Sequence, residues 1–207
     1  MASALTARSA QGVRNLTATV VALWFLLAIF GSLLGYFDSE PRPPVTLGLA
    51  AVVPVAVYGF LYFTSAGLRD LVLSLDLRVL TLAQTWRIGG IVFLILYWRA
   101  VLPGVFALPA GWGDIAIGIT APVVAWSCIR PLRRRAFIAW NVLGILDLVL
   151  AVTLGVLASA TPVGILAGDV TTRLMGQFPL SLIPTFFVPL LVICHLISLS
   201  RVSKEGL

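Results

Sequence analysis

The chain has 207 residues, of which 60% are hydrophobic and only 11% are charged. A soluble domain of this length cannot bury so much apolar surface, whereas a bundle of membrane-spanning helices requires it. The net charge of +6 would suggest nucleic acid as the partner of a soluble protein. Here the basic residues lie at the ends of apolar runs, so membrane topology explains them and no nucleic-acid binding is expected.

The apolar runs predict an all-α, polytopic integral membrane protein, with residues 1–207 forming a single transmembrane helical domain. The predicted bundle has six transmembrane helices, at about 16–37, 45–65, 79–98, 112–129, 136–158 and 178–199. Residues 66–78 combine apolar positions at helical spacing with Arg and Asp, which predicts a short interfacial connector. Residues 100–111 contain Pro103 and Pro109 and are expected to form an external loop or a re-entrant segment.

Basic residues are distributed unequally between the two sides of this arrangement. Ten lie on the side that holds both termini: Arg8, Arg14, Arg69, Arg78, Arg130, Arg133, Arg134, Arg135, Arg201 and Lys204. Three lie on the other side, namely Arg42, Arg99 and Arg173. By the positive-inside rule, this asymmetry predicts a multi-pass protein of the cell membrane with both termini in the cytoplasm.

Charged and amide side chains inside the predicted spans are candidates for function, because a charge is costly in a bilayer and usually faces the protein interior. Gln84 and Arg87 are three residues apart and share a face of the third span. Asn141 and Asp147 lie on one broad face of the fifth span. Arg87 and Asp147 are predicted at similar depth, so we expect them to face each other as an ion pair or through a bound polar group.

The same four residues have a purely structural interpretation. A buried Arg87–Asp147 pair can fix the register of two helices without binding anything. Gln84 and Asn141 can then serve as hydrogen-bonding side chains between helices. The sequence leaves both interpretations open.

Three further residues complete the candidate ligand-binding set. Asp114 is expected at the outer end of the fourth span, where an N-cap role is preferred over a role as an entry point for a cation or proton. Thr185 follows Pro184 in the sixth span, and a broken helix of this kind can line a cavity. His195, the only histidine, is expected to pack and hydrogen-bond rather than to bind a ligand or relay protons.

Several chemistries lack the residues that they need. A single histidine cannot supply bis-histidine haem ligation within one chain. No phosphate-binding G-x-x-x-x-G-K-[ST] motif, H-E-x-x-H motif or G-x-S-x-G motif occurs, which argues against ATP hydrolysis and two classes of hydrolase. Cys128 and Cys194 form no C-x-x-C pair. We expect no catalytic residues, no cofactor and no metal site.

The favoured function is binding and transport of a small molecule or ion through a polar midplane site, in which Arg87 meets an anionic group. The alternative is a lipid- or partner-binding membrane protein that transports nothing. A third possibility is an intramembrane acid–base enzyme that uses Asp114, Asp147 or His195, although the two acids are expected at different depths. The expected partners are membrane lipids and an unidentified small molecule or ion.

A homo-oligomer is a further possibility, because small residues allow helices of two copies to approach closely. Gly31 and Gly35 form a G-x-x-x-G pattern in the first predicted span. Such a pattern occurs often in membrane helices, so it indicates self-association only weakly.

Overall fold

The computed structural model describes residues 2–38, 42–129 and 132–204, with side chains described from residue 11 onward. This part of the chain is helical and contains no β-strand. Its α-helices are α1 Ala2–Leu33, α2 Val45–Thr64, α3 Ala66–Ser74, α4 Leu77–Ala83, α5 Ile91–Trp98, α6 Gly104–Ser127, α7 Arg134–Leu157 and α8 Val188–Lys204. Gln84–Gly90 and Arg173–Gly176 are 3₁₀ segments, and Ile183–Phe187 is a π segment.

Six helical stretches are long and apolar enough to cross a membrane, and they correspond in order to the six predicted spans. They are Gln11–Leu33, Val45–Thr64, Leu77–Trp98, Gly104–Ser127, Arg134–Leu157 and Ile183–Lys204. The predicted connector appears as α3, which Ser65 caps by accepting a hydrogen bond from the Leu68 amide (3.3 Å). Among the residues used to predict orientation, Arg130 and the side chain of Arg8 lie outside the described part of the chain.

The fourth long helix differs from its prediction. α6 begins at Gly104, directly after Pro103, and continues through Pro109 to Ser127. Residues 104–111 are therefore the first turns of the fourth long helix, and do not form the expected loop or re-entrant segment. Pro109 lacks one backbone N–H, but the loss of one hydrogen bond near a helix end is tolerated in membrane helices.

The third long helix, Leu77–Trp98, is not uniform. It starts as α4, which Asp76 caps by accepting a hydrogen bond from the Arg78 amide (2.6 Å). It tightens into the 3₁₀ segment Gln84–Gly90 and relaxes again into α5. A 3₁₀ helix has three residues per turn, so side chains at i and i+3 lie directly above one another. Gln84, Arg87 and Gly90 form such a row, and all three are buried.

The first long helix ends before its G-x-x-x-G pattern is complete. α1 stops at Leu33, and Gly35 has a left-handed backbone with φ of 74°. The Tyr36 amide donates to the Gly31 carbonyl (2.9 Å) and the Gly35 amide donates to the Ser32 carbonyl (3.1 Å). This pair of bonds is the Schellman arrangement that closes a helix. Gly35 is thus a helix terminator, and the two glycines do not form the helical face on which chain pairing was expected.

α6 occupies the centre of the packing. It contacts α4, the 3₁₀ segment, α5 and α7, while α7 and α4 also contact α8. The bundle has two ends. The hairpin end comprises residues 34–38, 42–44, 99–103 and 158–182, and the terminal end comprises residues 65–76, 128–129, 132–133 and the last turn of α8. Apolar side chains are exposed along the outside of all six long helices, as expected for a surface that contacts lipid.

Candidate functional site

Arg87 lies at the centre of a buried charged cluster. Only 2% of this residue is exposed, and its guanidinium donates in three directions. Nε donates to Oδ1 of Asp114 on α6 (2.7 Å), and Nη2 donates to Oδ2 of Asp147 on α7. Nη1 donates to the Gly144 carbonyl (3.1 Å) and lies 3.4 Å from Nε2 of His195 on α8. One arginine therefore joins four elements of the bundle.

The two carboxylates bind the same guanidinium from different helices. The Arg87–Asp147 pair is present as predicted from the depths of the two residues. The expectations for Asp114 were wrong in two respects: it lies ten positions inside α6 and cannot cap it, and it reaches the same depth as Asp147. Each aspartate side chain is 14% exposed. With both carboxylates ionised, the cluster of Arg87, Asp114 and Asp147 carries a net charge of −1.

His195 and Asn141 extend the cluster on the side of α8. Arginine has only donors, so in the 3.4 Å contact with Arg87 Nη1 the Nε2 atom of His195 is the acceptor. Nδ1 must then carry the proton, and it lies 2.8 Å from Oδ1 of Asn141. The Asn141 amide nitrogen donates in turn to the Phe137 carbonyl (2.9 Å). This chain of contacts orients His195 as a neutral partner of Arg87.

Small residues make the cluster sterically possible. Gly90 ends the buried row of the 3₁₀ segment, and a Cβ atom there would lie 2.5 Å from the Asp114 Cβ and 3.2 Å from the Gly111 carbonyl oxygen. A methyl group at Gly113 would overlap the Asp147 carboxylate, and one at Gly144 would overlap the His195 ring. Because these positions lack a Cβ, the third helix packs closely on α6, α6 on α7 and α7 on α8, and the side chains of the cluster fit between them.

Gln84 belongs to the same buried row but binds elsewhere. Its Nε2 donates to the Leu191 carbonyl on α8 (3.3 Å). Its Oε1 is buried and accepts no hydrogen bond from the described residues, and the same holds for the hydroxyl of Thr85. Buried polar atoms are nearly always paired, so a water molecule or a ligand group next to either atom would be stabilised.

Thr185 was also predicted to take part in the site, but its polar atoms bind elsewhere. Its hydroxyl donates to the Ser181 carbonyl (2.7 Å) inside its own segment. Its carbonyl accepts a hydrogen bond from the Trp24 indole (3.2 Å). Thr185 thus fixes α1 against the π segment, while its neighbours Ile183 and Pro184 contribute to a cavity.

This hairpin-end cavity connects the charged cluster to one end of the bundle. It contains about 740 Å³ of space free of protein atoms, including its open mouth. Asp38 and Arg173 lie at the mouth, and Asp114 is its innermost charged residue. Ten residues of helix separate Gly104 from Asp114, so the cavity reaches about 15 Å into the bundle. Its walls are mostly apolar, with Phe93, Phe106, Leu148, Val152, Ile183 and Val188 among the lining residues.

The mouth is held by an ion pair between distant parts of the chain. Arg173 donates to Asp38 through Nε (3.2 Å) and Nη2 (3.3 Å), and the Gln177 amide also donates to Asp38 (2.9 Å). Partial burial acts to raise the pKa of Asp38, but the hydrogen bonds from Gln177 and Arg173 and the charge of Arg173 outweigh it and lower the pKa below its ordinary value. Asp38 therefore stays ionised and keeps the segment after α1 next to the 3₁₀ segment Arg173–Gly176.

The site can be described as an apolar cavity with a single charged group at its inner end. Arg87 is absent from the residues that line the cavity, and so is Asp147. A molecule in the cavity would meet Asp114, while Arg87, His195 and Asn141 set the position of that carboxylate from behind. The sequence contained no direct signal for the cavity, since its walls are ordinary apolar residues from segments that lie far apart along the chain.

One comparison with known proteins identifies the family of the chain. A family described as a domain of unknown function (DUF8737) matches residues 44–203, and the chain belongs to this family. The matched region contains the whole charged cluster and all of the residues that line the hairpin-end cavity except Phe37 and Asp38. No match to the chain was found among curated proteins or among solved structures.

Proposed function

We propose that this member of the DUF8737 family is a multi-pass protein of the cell membrane that binds a small molecule in the hairpin-end cavity and transports it. The six long apolar helices support a membrane location. The excess of basic residues at the terminal end supports cytoplasmic termini. In this orientation the hairpin-end cavity faces the outside of the cell.

The observation that carries the proposal is the position of Asp114. It is the innermost charged group of a mostly apolar cavity that opens at the hairpin end, and concave, mostly apolar sites with a few polar groups are typical of small-molecule binding. It is also fixed by a guanidinium that a second carboxylate holds in place. An ionisable group at this depth in a membrane protein usually serves function, and here a cavity leads to it.

The proposal assigns different roles to the residues of the cluster. Asp114 contacts the ligand. Arg87 keeps Asp114 in position, because each of its nitrogen atoms already has a partner within the protein. His195 and Asn141 orient Arg87 in turn. This assignment replaces the expectation that Arg87 itself meets an anionic group.

Irregular helix geometry around the cluster supports transport as well as binding. The 3₁₀ segment carries Gln84 and Arg87, and the π segment Ile183–Phe187 borders the cavity. The stacked rings of Trp86 and Phe187, 5.5 Å apart, connect the two segments. Such departures from α-helical geometry often mark positions where a helix changes shape during function. The unpaired Oε1 of Gln84 would provide the next polar contact for a ligand that moves from Asp114 toward the terminal end.

Native mass spectrometry of protein released gently from its own membrane tests the binding step. Val152 lines the cavity, whereas Val149 on the same helix is 53% exposed on the outside of the bundle. We expect a small adduct on the wild type and on the control variant Val149→Trp. Val152→Trp should lack this adduct, because tryptophan at position 152 fills the cavity. The same adduct on both variants, or bare protein throughout, would contradict binding in this cavity.

A second candidate function is binding of a lipid-like ligand without transport, which the apolar walls of the cavity favour. Purified adduct, labelled isotopically and added to one side of proteoliposomes, distinguishes the two functions. Transport predicts that the label appears in the lumen and that Val152→Trp prevents this. Retention of the label on the protein without lumenal release would favour the second candidate.

A further inference from the structure

We infer that the ligand of the hairpin-end cavity is an apolar organic molecule with a single positive charge, and that this charge lies against the carboxylate of Asp114. The inference rests on the proposed function, because it names the class of molecule that the cavity takes. It is argued from the charges of the cluster, the unpaired carboxylate oxygen and the walls of the cavity.

The net charge of the cluster determines the sign of the charge that the ligand carries. Arg87 contributes one positive charge to the cluster, and Asp114 and Asp147 contribute two negative charges. Every nitrogen of the guanidinium has an acceptor within the protein, and Arg87 does not line the cavity. An anionic ligand would therefore meet a carboxylate and no available cation, whereas one monovalent cation neutralises the cluster.

Asp114 has capacity for such a partner. Its Oδ1 accepts the hydrogen bond from Arg87 Nε, while Oδ2 receives no hydrogen bond from any residue that the structure describes. The side chain retains 14% exposure, and that exposure coincides with a cavity. A carboxylate in a low-dielectric site attracts a cation more strongly than the same group does in water.

The remaining charged residues near the cavity do not change the expected positive charge of the ligand. Asp38 and Arg173 at the mouth form an ion pair and together contribute no net charge. His195 touches the cluster from α8, and its ring nitrogen accepts from Arg87, so it stays neutral. The negative charge at the inner end is thus the only unbalanced charge among the described residues around the cavity.

The walls indicate an organic cation rather than a metal ion. No group of three or more His, Cys, Asp or Glu side chains within residues 2–38, 42–129 and 132–204 is placed to hold a metal. Between Asp114 and the mouth, the cavity is lined instead by Phe93 and Phe106, whose rings meet edge to face at 5.4 Å. Aromatic faces attract organic cations, and the aliphatic walls of Leu148 and Ile183 favour an apolar body.

Two probes of the same size and opposite charge test the inference. Tetraphenylphosphonium and tetraphenylborate are offered separately to purified wild type in detergent, and binding is measured by equilibrium dialysis against protein-free micelles. Two variants accompany the wild type: Asp114→Asn, which removes the charge without changing the shape, and Asp169→Asn, the same change at an exposed residue outside the cavity. We expect the phosphonium to bind at least about tenfold more tightly than the borate, as one close ionic contact allows.

Asp114→Asn is expected to abolish that preference and Asp169→Asn to leave it unchanged. Equal or tighter binding of the borate, or an unchanged preference in Asp114→Asn, would overturn the inference. Val152→Trp is a second test variant, which remains informative if Asp114→Asn does not fold. The preference for the phosphonium must disappear when tryptophan fills the cavity. If the borate binds more tightly and Val152→Trp removes that binding, the cavity does bind a ligand, but the ligand is not a cation. The proposed function would then stand and the inference would fail. If Val152→Trp affects neither probe, both proposals fail.

Discussion

Arg87 and Asp147 form an ion pair between the 3₁₀ segment of the third helix and the middle of α7, and Asp114 shares the same guanidinium from α6. Three long helices are thus joined at one buried point. The pair has a structural consequence that is independent of any ligand, because removal of the arginine leaves two carboxylates facing each other without a cation.

Arg87→Met is therefore expected to destabilise the protein by about 3–5 kcal/mol, as loss of one partner of a buried ion pair does. The combined variant Arg87→Met/Asp114→Asn/Asp147→Asn should recover most of this loss, since it contains no buried charge. Thermal unfolding in detergent, followed by size-exclusion chromatography, measures both effects. Wild-type stability of Arg87→Met alone would show that the cluster does not hold the bundle together.

The two adjacent glycines of the 3₁₀ segment provide a matched pair of substitutions. A Cβ at Gly90 would lie 2.5 Å from the Asp114 Cβ, whereas a Cβ at Gly89 would meet nothing within 4 Å. Gly90→Ala should cost about 1–3 kcal/mol of unfolding free energy through overpacking, and Gly89→Ala should leave stability unchanged or raise it slightly. Equal melting temperatures for the two variants would contradict the close contact between the third helix and α6.

His195 is expected to be neutral and protonated on Nδ1, because Arg87 donates to its Nε2. As the only histidine in the chain, it gives a single pair of ring signals in ¹⁵N NMR of histidine-labelled protein. Nδ1 should show an attached proton and Nε2 should show none, and His195→Gln should lack both signals. A proton on Nε2 at neutral pH would rule out the contact with Arg87.

The ion pair at the cavity mouth leads to a prediction about pH. Since the folded-state pKa of Asp38 is lowered, the pair stabilises the protein above the ordinary aspartate pKa, and this stabilisation is lost as the pH falls through the lowered value. Arg173 is 55% exposed, so the contribution is small, about 0–1 kcal/mol. The melting temperature of wild type minus that of Asp38→Asn should be positive at pH 7 and shrink below about pH 4. A difference that grows on acidification would show the opposite linkage.

The sequence predicted the number of long helices and the Arg87–Asp147 pair because both follow from local rules. Apolar runs of about twenty residues identify spans, and depth along two such runs placed the pair together. The sequence misplaces Asp114 because Pro103 and Pro109 predict a loop up to residue 111, whereas one proline interrupts only one hydrogen bond and α6 continues through it. Eight further residues of helix carried Asp114 to the depth of Arg87.

Other parts of the site depend on contacts between distant segments, which local patterns do not encode. Nothing in the sequence around Gln84 distinguishes a 3₁₀ row from an α-helical face, since both bring i and i+3 together. The contact of His195 with Arg87 depends on how closely α8 approaches Gly144. The cavity arises where apolar walls fail to meet, so it leaves no motif.

The most direct test of the account is whether water-soluble reagents reach the inner end of the cavity from the hairpin side. In a Cys128→Ala/Cys194→Ala background, single cysteines are introduced by Ala151→Cys and Asp114→Cys, with Val149→Cys as the control on the outside of α7. A membrane-impermeant cationic thiol reagent is added to the outside of intact cells. The account predicts labelling after Ala151→Cys and Asp114→Cys, protection of both in Val152→Trp, and no labelling after Val149→Cys. Absence of labelling at 114 and 151, or labelling of them only from the cytoplasmic side, would contradict a cavity that opens outward onto the charged cluster.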